Sequence, residues 1–275
     1  MTARRRAWDG YWTTKVGWAA EGKIIVRGYR AEELIRHLHF AEAAYLVIRG
    51  ELPTRRQAAA LDAVLRSGLD QAFINSAVPP ARFAASAAPE SPAAAIAAGV
   101  IAFGSVTGSP RQCAELLLET RGAMIRDGVA LPAMARRVVE EHAGRGARIP
   151  GIGHPMHKRI EPRARALREV AAGLGAWGAH GRLLEAIARE ARRHHGRPLP
   201  VNLAGAIAAV LLEIGFAPLE MVGLAVMSYM PSLIAHTVEE FREGVPLRII
   251  PEALGARYAG RGQRRLPARG RRGRE

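Results

Sequence analysis

The sequence predicts a mostly α-helical protein, and three observations point to that class. Of the 275 residues, 49% are hydrophobic but only 5% are aromatic, and alanine and leucine, both strong helix formers, are prominent in the apolar set. Helix-capping residues precede apolar stretches at Thr54, Ser91 and Ser109, and a proline follows the last two. Apolar residues also recur every three or four positions across residues 31–49, which is the period of one helix face.

Local signals place the elements in order along the chain. Residues 23–29 contain β-branched side chains and predict a short strand. Gly50 is expected to end a helix at 31–49, because glycine commonly closes helices. Pro231 is expected to kink or break the last long helix, because proline lacks the N–H that the helix ladder needs. The other predicted helices cover residues 54–67, 92–103, 111–126, 132–142, 162–174, 181–195 and 203–214, and the last long helix starts at 218.

The stretch at residues 150–164 is the most informative part of the chain, and it reads Pro-Gly-Ile-Gly-His-Pro-Met-His-Lys-Arg-Ile-Glu-Pro-Arg-Ala. Its glycines let the backbone approach a ligand closely. His154, directly behind the Gly-X-Gly turn, can donate a hydrogen bond to a carbonyl. Arg163 adds a planar, two-pronged donor that suits carboxylates. Together these residues predict a site that holds an oxo-acid and polarises its carbonyl.

This stretch resembles a pattern of citrate synthases and their citryl-CoA-cleaving relatives, Pro-Gly-Phe-Gly-His, then a basic residue, then Asp-Pro-Arg. Ile152 stands for the phenylalanine and Glu161 for the aspartate, and residues 154–158 are similar to those of the short citryl-CoA lyases. Arg27-Gly28-Tyr29 and residues 40–54 also resemble the family. The resemblance therefore covers roughly residues 8–241, nearly the whole chain.

The resemblance implies a citrate synthase-like fold with two helical domains. A large domain, residues 1–107 and 203–255, would be interrupted by a smaller one, residues 108–202, with hinges near Thr107 and Asn202 and the active site in the cleft. The family pairs its helical domains, and small residues at 93–103 and 203–214 permit close helix contact. A homodimer is therefore expected.

The resemblance also implies Claisen-type chemistry, in which a CoA thioester is a substrate and no cofactor is needed. His154 matches the histidine that polarises the oxo-acid carbonyl, and Arg163 matches an arginine that binds a substrate carboxylate. Thr107 stands where a second histidine stabilises the enol oxygen. Its hydroxyl can still donate a hydrogen bond, or the segment is simply a helix-entry turn. Lys158 is either a ligand for a phosphate or carboxylate, or a solvated loop lysine.

Several other positions depart from the family pattern. Asn202 of an Asn-X-Asp triplet is kept, but Ala204 stands where the carboxylate base belongs, and alanine cannot accept a proton. Tyr229 stands where the family has a substrate-binding arginine, and Gln71 stands where it has a histidine. Asn202 and Tyr229 nevertheless join Arg163 and Lys158 as the candidate substrate-binding residues.

The acidic residues nearest in sequence to the missing base are Glu161 and Glu213. A surface or capping role is the simpler interpretation of each. His154 and His157 have a spacing that metal ligands can have, but no cysteine or clustered acid completes a site, so no metal is expected.

The charge and the cysteine content indicate which ligands and which cellular compartment suit the protein. The formal net charge is +15, and residues 256–275 hold eight arginines and one glutamate, which predicts a basic, disordered tail. A basic surface suits anionic ligands such as CoA thioesters or tricarboxylates. The single cysteine, Cys113, forms no internal disulfide, is expected in the core and fits a reducing compartment. No apolar segment is long and clean enough to predict a signal or a membrane span, and a soluble cytoplasmic protein is expected.

Three functions remain open from the sequence alone. The first is a citryl-CoA lyase or related citrate synthase-like enzyme, and the second is a non-catalytic relative that binds CoA esters or oxo-acids. The third is nucleic-acid binding through the arginine-rich tail, which no aromatic platform or base-reading motif supports.

Overall fold

The structure is a computed structural model that describes residues 10–104, 109–255 and 257–266. The described residues form eleven α-helices and one small antiparallel sheet, which confirms the mostly α class. The helices are α1 (Ala31–His37), α2 (Phe40–Arg49), α3 (Arg55–Ser67), α4 (Val78–Ala87), α5 (Pro92–Ile101), α6 (Arg111–Asp127), α7 (Leu131–Gly144), α8 (Pro162–Gly173), α9 (Ala179–His195), α10 (Leu203–Glu213) and α11 (Pro218–Glu243).

The sheet lies before the first helix and is larger than the sequence predicts. It consists of β1 (Gly17–Ala20), β2 (Lys23–Val26) and β3 (Tyr29–Arg30) in that order, whereas only the region of β2 and β3 was expected. The side chain of Arg27 donates from Nε to the carbonyl oxygen of Val47 at 2.9 Å. This bond ties the sheet to the last turn of α2.

The prediction of one continuous helix at 31–49 is wrong, because two residues interrupt it. Leu38 and His39 have extended backbone conformations that separate α1 from α2. The backbone N–H of His39 donates to the carboxylate of Glu42 at 2.8 Å. This capping interaction starts a new helix where the hydrophobic period alone predicts a continuation.

Helix α11 continues through Pro231 from Pro218 to Glu243, so the chain does not break there. The helix packs against α3, α4, α5, α6 and α10, and this packing offsets the backbone hydrogen bond that proline removes. By length and hydropathy α11 could cross a membrane. It instead buries Ser228, Ser232 and Glu240 inside the fold, as the core helix of a globular protein does.

Other helix starts follow the sequence more closely. Thr54 caps α3 with a full capping box formed with Gln57, as its sequence predicts. Ser91 stands at the N-cap of α5 without a side-chain cap bond, and Pro110 rather than Ser109 takes the N-cap position of α6. No element was predicted at α4, whose two prolines lie in its first turn, where a missing N–H costs little.

Helix α10 is the centre of the core. Every residue from Gly205 to Leu211 is buried, and α3, α6, α8, α9 and α11 surround it. Three alanines in this stretch allow the neighbouring helices to approach closely. The small residues at 203–214 therefore serve packing within the chain and are not available to a second copy.

A close backbone contact joins α10 to the loop that leads to His154. Gly151 and Gly205 are both buried, and a Cβ placed on Gly205 would lie 2.5 Å from the carbonyl oxygen of Gly151. Gly151 also has φ of +83° and lies against the Sγ of Cys113. Burial raises the pKa of that thiol to about 12, so Cys113 is an inert core residue, as predicted.

The division into a large domain and an inserted domain, residues 108–202, stays a prediction. Thr107, one of the two expected hinges, lies outside the described residues. Within the arginine-rich tail only residues 257–266 are described, and they form neither helix nor strand.

We expect Gly205→Ala to destabilise the protein, because the new methyl group overlaps the Gly151 carbonyl. Overpacking of this kind costs about 1–3 kcal/mol, which corresponds to a fall in Tm of roughly 2–10 °C for a chain of this size. Differential scanning calorimetry gives the measurement. The matched control is Gly223→Ala in α11, where the position is exposed and nothing lies within 4 Å of the new Cβ. The control should leave Tm unchanged or raise it, and an unchanged Tm in Gly205→Ala would contradict the packing described above.

Candidate active site

Backbone hydrogen bonds join the loop that carries His154 to the residues that precede α10. The N–H of Gly153 donates to the carbonyl of Pro200 at 2.7 Å, and the N–H of Asn202 donates to that of Gly151 at 3.0 Å. Ile152 and Val201 form an antiparallel bridge between these bonds. The loop and the start of α10 therefore move as one unit.

The side chain of Asn202 adds two hydrogen bonds to this pairing. Its Oδ1 accepts from the N–H of Gly205 at 3.0 Å and so caps α10, while its Nδ2 donates to the carbonyl of Gly153 at 2.9 Å. Both ends of the amide are thus engaged within the protein. In this arrangement Asn202 fixes the residue next to His154.

The imidazole of His154 has a defined tautomer. Its Nδ1 accepts two backbone hydrogen bonds, from the N–H of Met156 at 3.1 Å and from that of His157 at 3.0 Å. A nitrogen that accepts has no proton, so the neutral ring carries its proton on Nε2. Burial and then the nearby His157 lower the pKa of His154 below its usual value. His154 is therefore a neutral donor aimed through Nε2.

Gln71 lies at that donor atom. Its Nε2 is 3.1 Å from Nε2 of His154. Because the ring nitrogen carries the proton, it needs an acceptor, and a half-turn of the Gln71 amide brings the carbonyl oxygen there. Gln71 thus occupies the place where a ligand oxygen would meet His154.

Arg163 is fixed by a buried acid in its own helix start. Glu161 is 1% exposed and caps α8 by accepting from the N–H of Ala164 at 2.7 Å. The same carboxylate accepts from Nε of Arg163 at 2.8 Å. This bond leaves the two terminal nitrogens of the guanidinium directed away from Glu161.

One of those terminal nitrogens reaches Tyr229 on α11. Nη1 of Arg163 is 3.5 Å from the Tyr229 hydroxyl, and Tyr229 is buried. Burial raises the pKa of Tyr229, with Arg163 acting in the opposite direction. The residue at the family's arginine position is therefore a neutral hydroxyl beside a guanidinium.

The remaining predicted site residues are placed differently. Lys158 is exposed, and its Nζ donates to the carbonyl of Pro155 at 2.5 Å, so it braces its own loop. Thr107 lies outside the described residues. Ala204 is the second residue of α10, two positions after Asn202, and it is partly exposed.

The two acids nearest in sequence to the missing base both cap helices. Glu161 is the cap of α8 described above. Glu213 accepts from the N–H and from Nδ1 of His180, both at 2.8 Å, and so caps α9. Glu213 also stands at the opposite end of α10 from Asn202, about 15 Å away by the helical rise. The capping interpretation of both residues is confirmed.

The sequence analysis missed an acid that shares a cleft with Arg163. Asp70 and Arg163 both line a cleft of about 290 Å³ between the end of α3 and α8. Burial raises the pKa of Asp70, but hydrogen bonds from Ser232, from the Ala72 amide and from His236 outweigh it and bring the pKa below its usual value. No local pattern in the sequence indicates this residue, because its partners Ser232 and His236 lie more than 160 positions away.

Within residues 10–104, 109–255 and 257–266, no three His, Cys, Asp or Glu side chains group as they would around a metal ion. His194 and His195 are exposed at the end of α9.

Comparisons with known proteins show which family the chain resembles over most of its length. A family model described as "Citrate synthase, C-terminal domain" matches residues 11–80 and 58–250. The solved structure of citryl-CoA lyase from Hydrogenobacter thermophilus is 31% identical, has a TM-score of 0.82 and aligns over 93% of this chain and 97% of that one. The comparison with curated proteins gives no significant match.

Two more distant structures share the fold. ATP citrate lyase from Methanosaeta concilii, in complex with (3S)-citryl-CoA, is 17% identical with a TM-score of 0.78, over 95% of this chain and 45% of that one. Citrate synthase from Thermoplasma acidophilum, in a ternary complex with carboxymethyl coenzyme A and oxaloacetate, is 21% identical with a TM-score of 0.66, over 83% and 59%. The matches confirm the resemblance stated from the sequence and the fold it implies.

Proposed function

We propose that this chain, an enzyme that belongs to the citrate synthase family, cleaves citryl-CoA, or a related acyl-CoA adduct, to acetyl-CoA and oxaloacetate, or catalyses the reverse Claisen-type condensation. The observation that carries the proposal is the neutral His154, whose Nε2–H is directed at Gln71 and whose pKa is lowered by burial and in part by the charge of Arg163. The 31% identical neighbour over 93% of the chain is a citryl-CoA lyase, which favours the cleavage reaction.

In this proposal His154 and Arg163 hold the oxo-acid half of the substrate. During cleavage the tertiary hydroxyl of the adduct gives up its proton to water and becomes a carbonyl. The electron pair of the broken carbon–carbon bond passes to the thioester as an enolate, and a proton returned from water to the methylene carbon completes acetyl-CoA, so that the protons balance. Nε2–H of His154 donates to the hydroxyl oxygen that becomes the carbonyl, and the terminal nitrogens of Arg163, which do not bond to Glu161, bind a carboxylate. Tyr229 adds a hydroxyl donor next to the same guanidinium.

The thioester half must pass through an enol or enolate that regains a proton at carbon. We assign Thr107 the role of a donor to its oxygen. No carboxylate stands at position 204 to exchange the carbon proton, and Glu161 and Glu213 are held by their caps. The proton route at this carbon is the part of the mechanism that differs from the family pattern.

The missing carboxylate favours one alternative, a non-catalytic relative that binds CoA esters or oxo-acids. The two alternatives differ in turnover and not in ligand class. No cofactor enters either one, since the CoA thioester is itself the ligand. The single buried thiol is consistent with a cytoplasmic protein, which we include in the proposal.

We also propose a homodimer, and the described surface favours α5 as its contact. Ala93, Ala94 and Ala97 are exposed along one side of α5, and Ile101 at its end is 82% exposed. A helix face of alanines lets a second helix approach closely. Helix α11, which packs on α5, exposes Leu219 and Ile234 as well.

Replacement of His154 tests the proposed reaction directly. The unmodified protein should release oxaloacetate from citryl-CoA, measured through NADH oxidation by malate dehydrogenase. His154→Ala should lower kcat by about 10²–10³-fold, because one donor to a developing oxyanion is lost. His195→Ala, at the exposed end of α9, is the matched control and should keep full activity. Equal activity in the two variants would remove His154 from the mechanism.

The structure predicts the direction in which activity in the same assay changes with pH. Below its pKa, His154 takes a proton on Nδ1 and can no longer accept from the amides of Met156 and His157. Because its pKa is lowered, activity should hold through neutral pH and fall only below about pH 6.5. If kcat/KM already fell above that pH in the unmodified protein, and this fall were absent in His154→Gln, the assignment of His154 as a neutral donor would be wrong.

Replacement of Ala97 on α5 tests the proposed dimer. Sedimentation velocity at micromolar concentration should show a dimer, and Ala97→Arg should convert it to monomer, because a charge would be buried in the α5 contact. Ala172→Arg, at an exposed position of α8, is the matched control and should remain dimeric. A dimeric Ala97→Arg variant would show that another surface forms the contact.

Replacement of Ala204 tests the consequence of the missing carboxylate. Ala204→Asp should raise the exchange of acetyl-CoA methyl protons with deuterated water, because it supplies the carboxylate that alanine lacks. Ala204→Asn, which adds a similar volume without an ionised group, should not. Mass spectrometry of the recovered acetyl-CoA measures the exchange. Fast exchange by the unmodified protein would mean that another group moves this proton.

A further inference from the structure

The turn that presents Gln71 to His154 has an unusual backbone. Ala72 has φ of +48°, a left-handed conformation that residues with a Cβ avoid. Such strain persists only where the surrounding structure holds it, and it is concentrated at functional sites. The turn lies between α3 and a short 3₁₀ helix at Ala72–Ile74.

The carboxylate of Asp70 holds this turn from both sides. Its Oδ1 accepts from the N–H of Ala72 at 3.1 Å, which closes the strained turn. The same oxygen accepts from Oγ of Ser232 at 2.7 Å and lies 3.2 Å from Nε2 of His236. Asp70 therefore binds the turn to helix α11.

The partners of Asp70 lie on the face of α11 that carries Tyr229. Ser232 follows Tyr229 by three positions and His236 follows Ser232 by four, so the three side chains form one stripe along the helix. Asp70 thus sets the distance between the Gln71 turn and the helix that supplies Tyr229.

The far end of this anchor is also fixed. Nδ1 of His236 is 3.4 Å from Nη1 of Arg82 and 3.6 Å from the carboxylate of Glu239. Arg82 is in turn paired with the buried Glu240 at 2.6 Å. His236 therefore cannot swing away from Asp70 without breaking a network of ion pairs.

We infer that Asp70 is a positioning residue for the active site, which acts through Gln71 on the Nε2–H of His154. Asp70 holds the strained turn against α11, the turn places the Gln71 amide at Nε2 of His154, and the amide oxygen keeps that donor oriented until a substrate oxygen displaces it. The inference rests on the proposed function for its kinetic measurement only.

The experiment compares Asp70→Ala, Gln71→Ala and the double variant with the unmodified protein. Asp70→Ala and Gln71→Ala should each lower kcat/KM for citryl-CoA cleavage by about 10–10²-fold, because a loosened group near the reacting centre costs rate on that scale. The double variant should be no worse than the more impaired single one. A decrease equal to the product of the two single effects would overturn the inference, since Asp70 would then act independently of Gln71.

A second measurement does not depend on turnover. In protein with ¹⁵N-labelled histidine, the Nε2–H resonance of His154, assigned by its loss in His154→Ala, should be visible in the unmodified protein. It should broaden by exchange with water in both Asp70→Ala and Gln71→Ala. A resonance that stays unchanged in Asp70→Ala would overturn the inference, whereas a protein that binds but does not cleave citryl-CoA would overturn only the proposed function.

Two further variants separate positioning from direct chemistry and from loss of folding. Asp70→Asn keeps an acceptor oxygen for Ala72 and Ser232, so it should retain most activity and the His154 resonance. Ser232→Ala removes one anchor from the helix side and should shift activity and resonance in the same direction as Asp70→Ala, by a smaller amount. An inactive Asp70→Asn with an intact resonance would overturn the inference, because the carboxylate itself would then be moving a proton.

Discussion

The close contact between Gly151 and Gly205 is the constraint on which the site depends. Neither position has room for a side chain, since a Cβ on Gly205 would reach the Gly151 carbonyl. The absence of both side chains lets the loop approach the start of α10, and there Ile152 pairs with Val201. His154 follows this paired segment, so its position is defined by the central helix of the core and not by a free loop.

Around this fixed segment, hydrogen bonds within the protein orient each donor of the site. The Met156 and His157 amides occupy one nitrogen of His154 and direct its proton through the other. Glu161 does the same for Arg163, because it takes Nε and leaves the terminal nitrogens. In both cases the orienting partner comes from within three residues of the functional side chain. Short-range bonds of this kind pre-organise donors without help from a ligand.

Local sequence signals predicted the parts of this arrangement that depend on local physics. The cap at Thr54, the start of α8 at Pro162 and the Gly-X-Gly turn before His154 each follow from residues within one turn. The interruption at Leu38 and His39 has no such signal, since the hydrophobic period continues across it and only the Glu42 cap starts a new helix. Asp70 was missed for a related reason. Its partners Ser232 and His236 lie more than 160 residues away in sequence, and one sequence shows no pairing at that distance.

The charge of the site contrasts with the charge of the chain. The formal net charge is +15, yet the two basic side chains that lower the pKa of His154, Arg163 and Lys158, are matched in number by the acids Glu161 and Asp70. Arg163 is paired with Glu161, His154 and Tyr229 have pKa values shifted toward their neutral forms, and Asp70 adds a negative charge to the adjacent cleft. The excess positive charge therefore lies on the surface, where it attracts anions over a range that salt shortens. For an anionic CoA thioester, long-range attraction and short-range recognition would then be separate: the basic surface brings the ligand to the cleft, and directional donors select the oxygen that reacts. This separation lets a tyrosine stand where the family has a second arginine, because the hydroxyl preserves a donor at that position while the attraction comes from elsewhere.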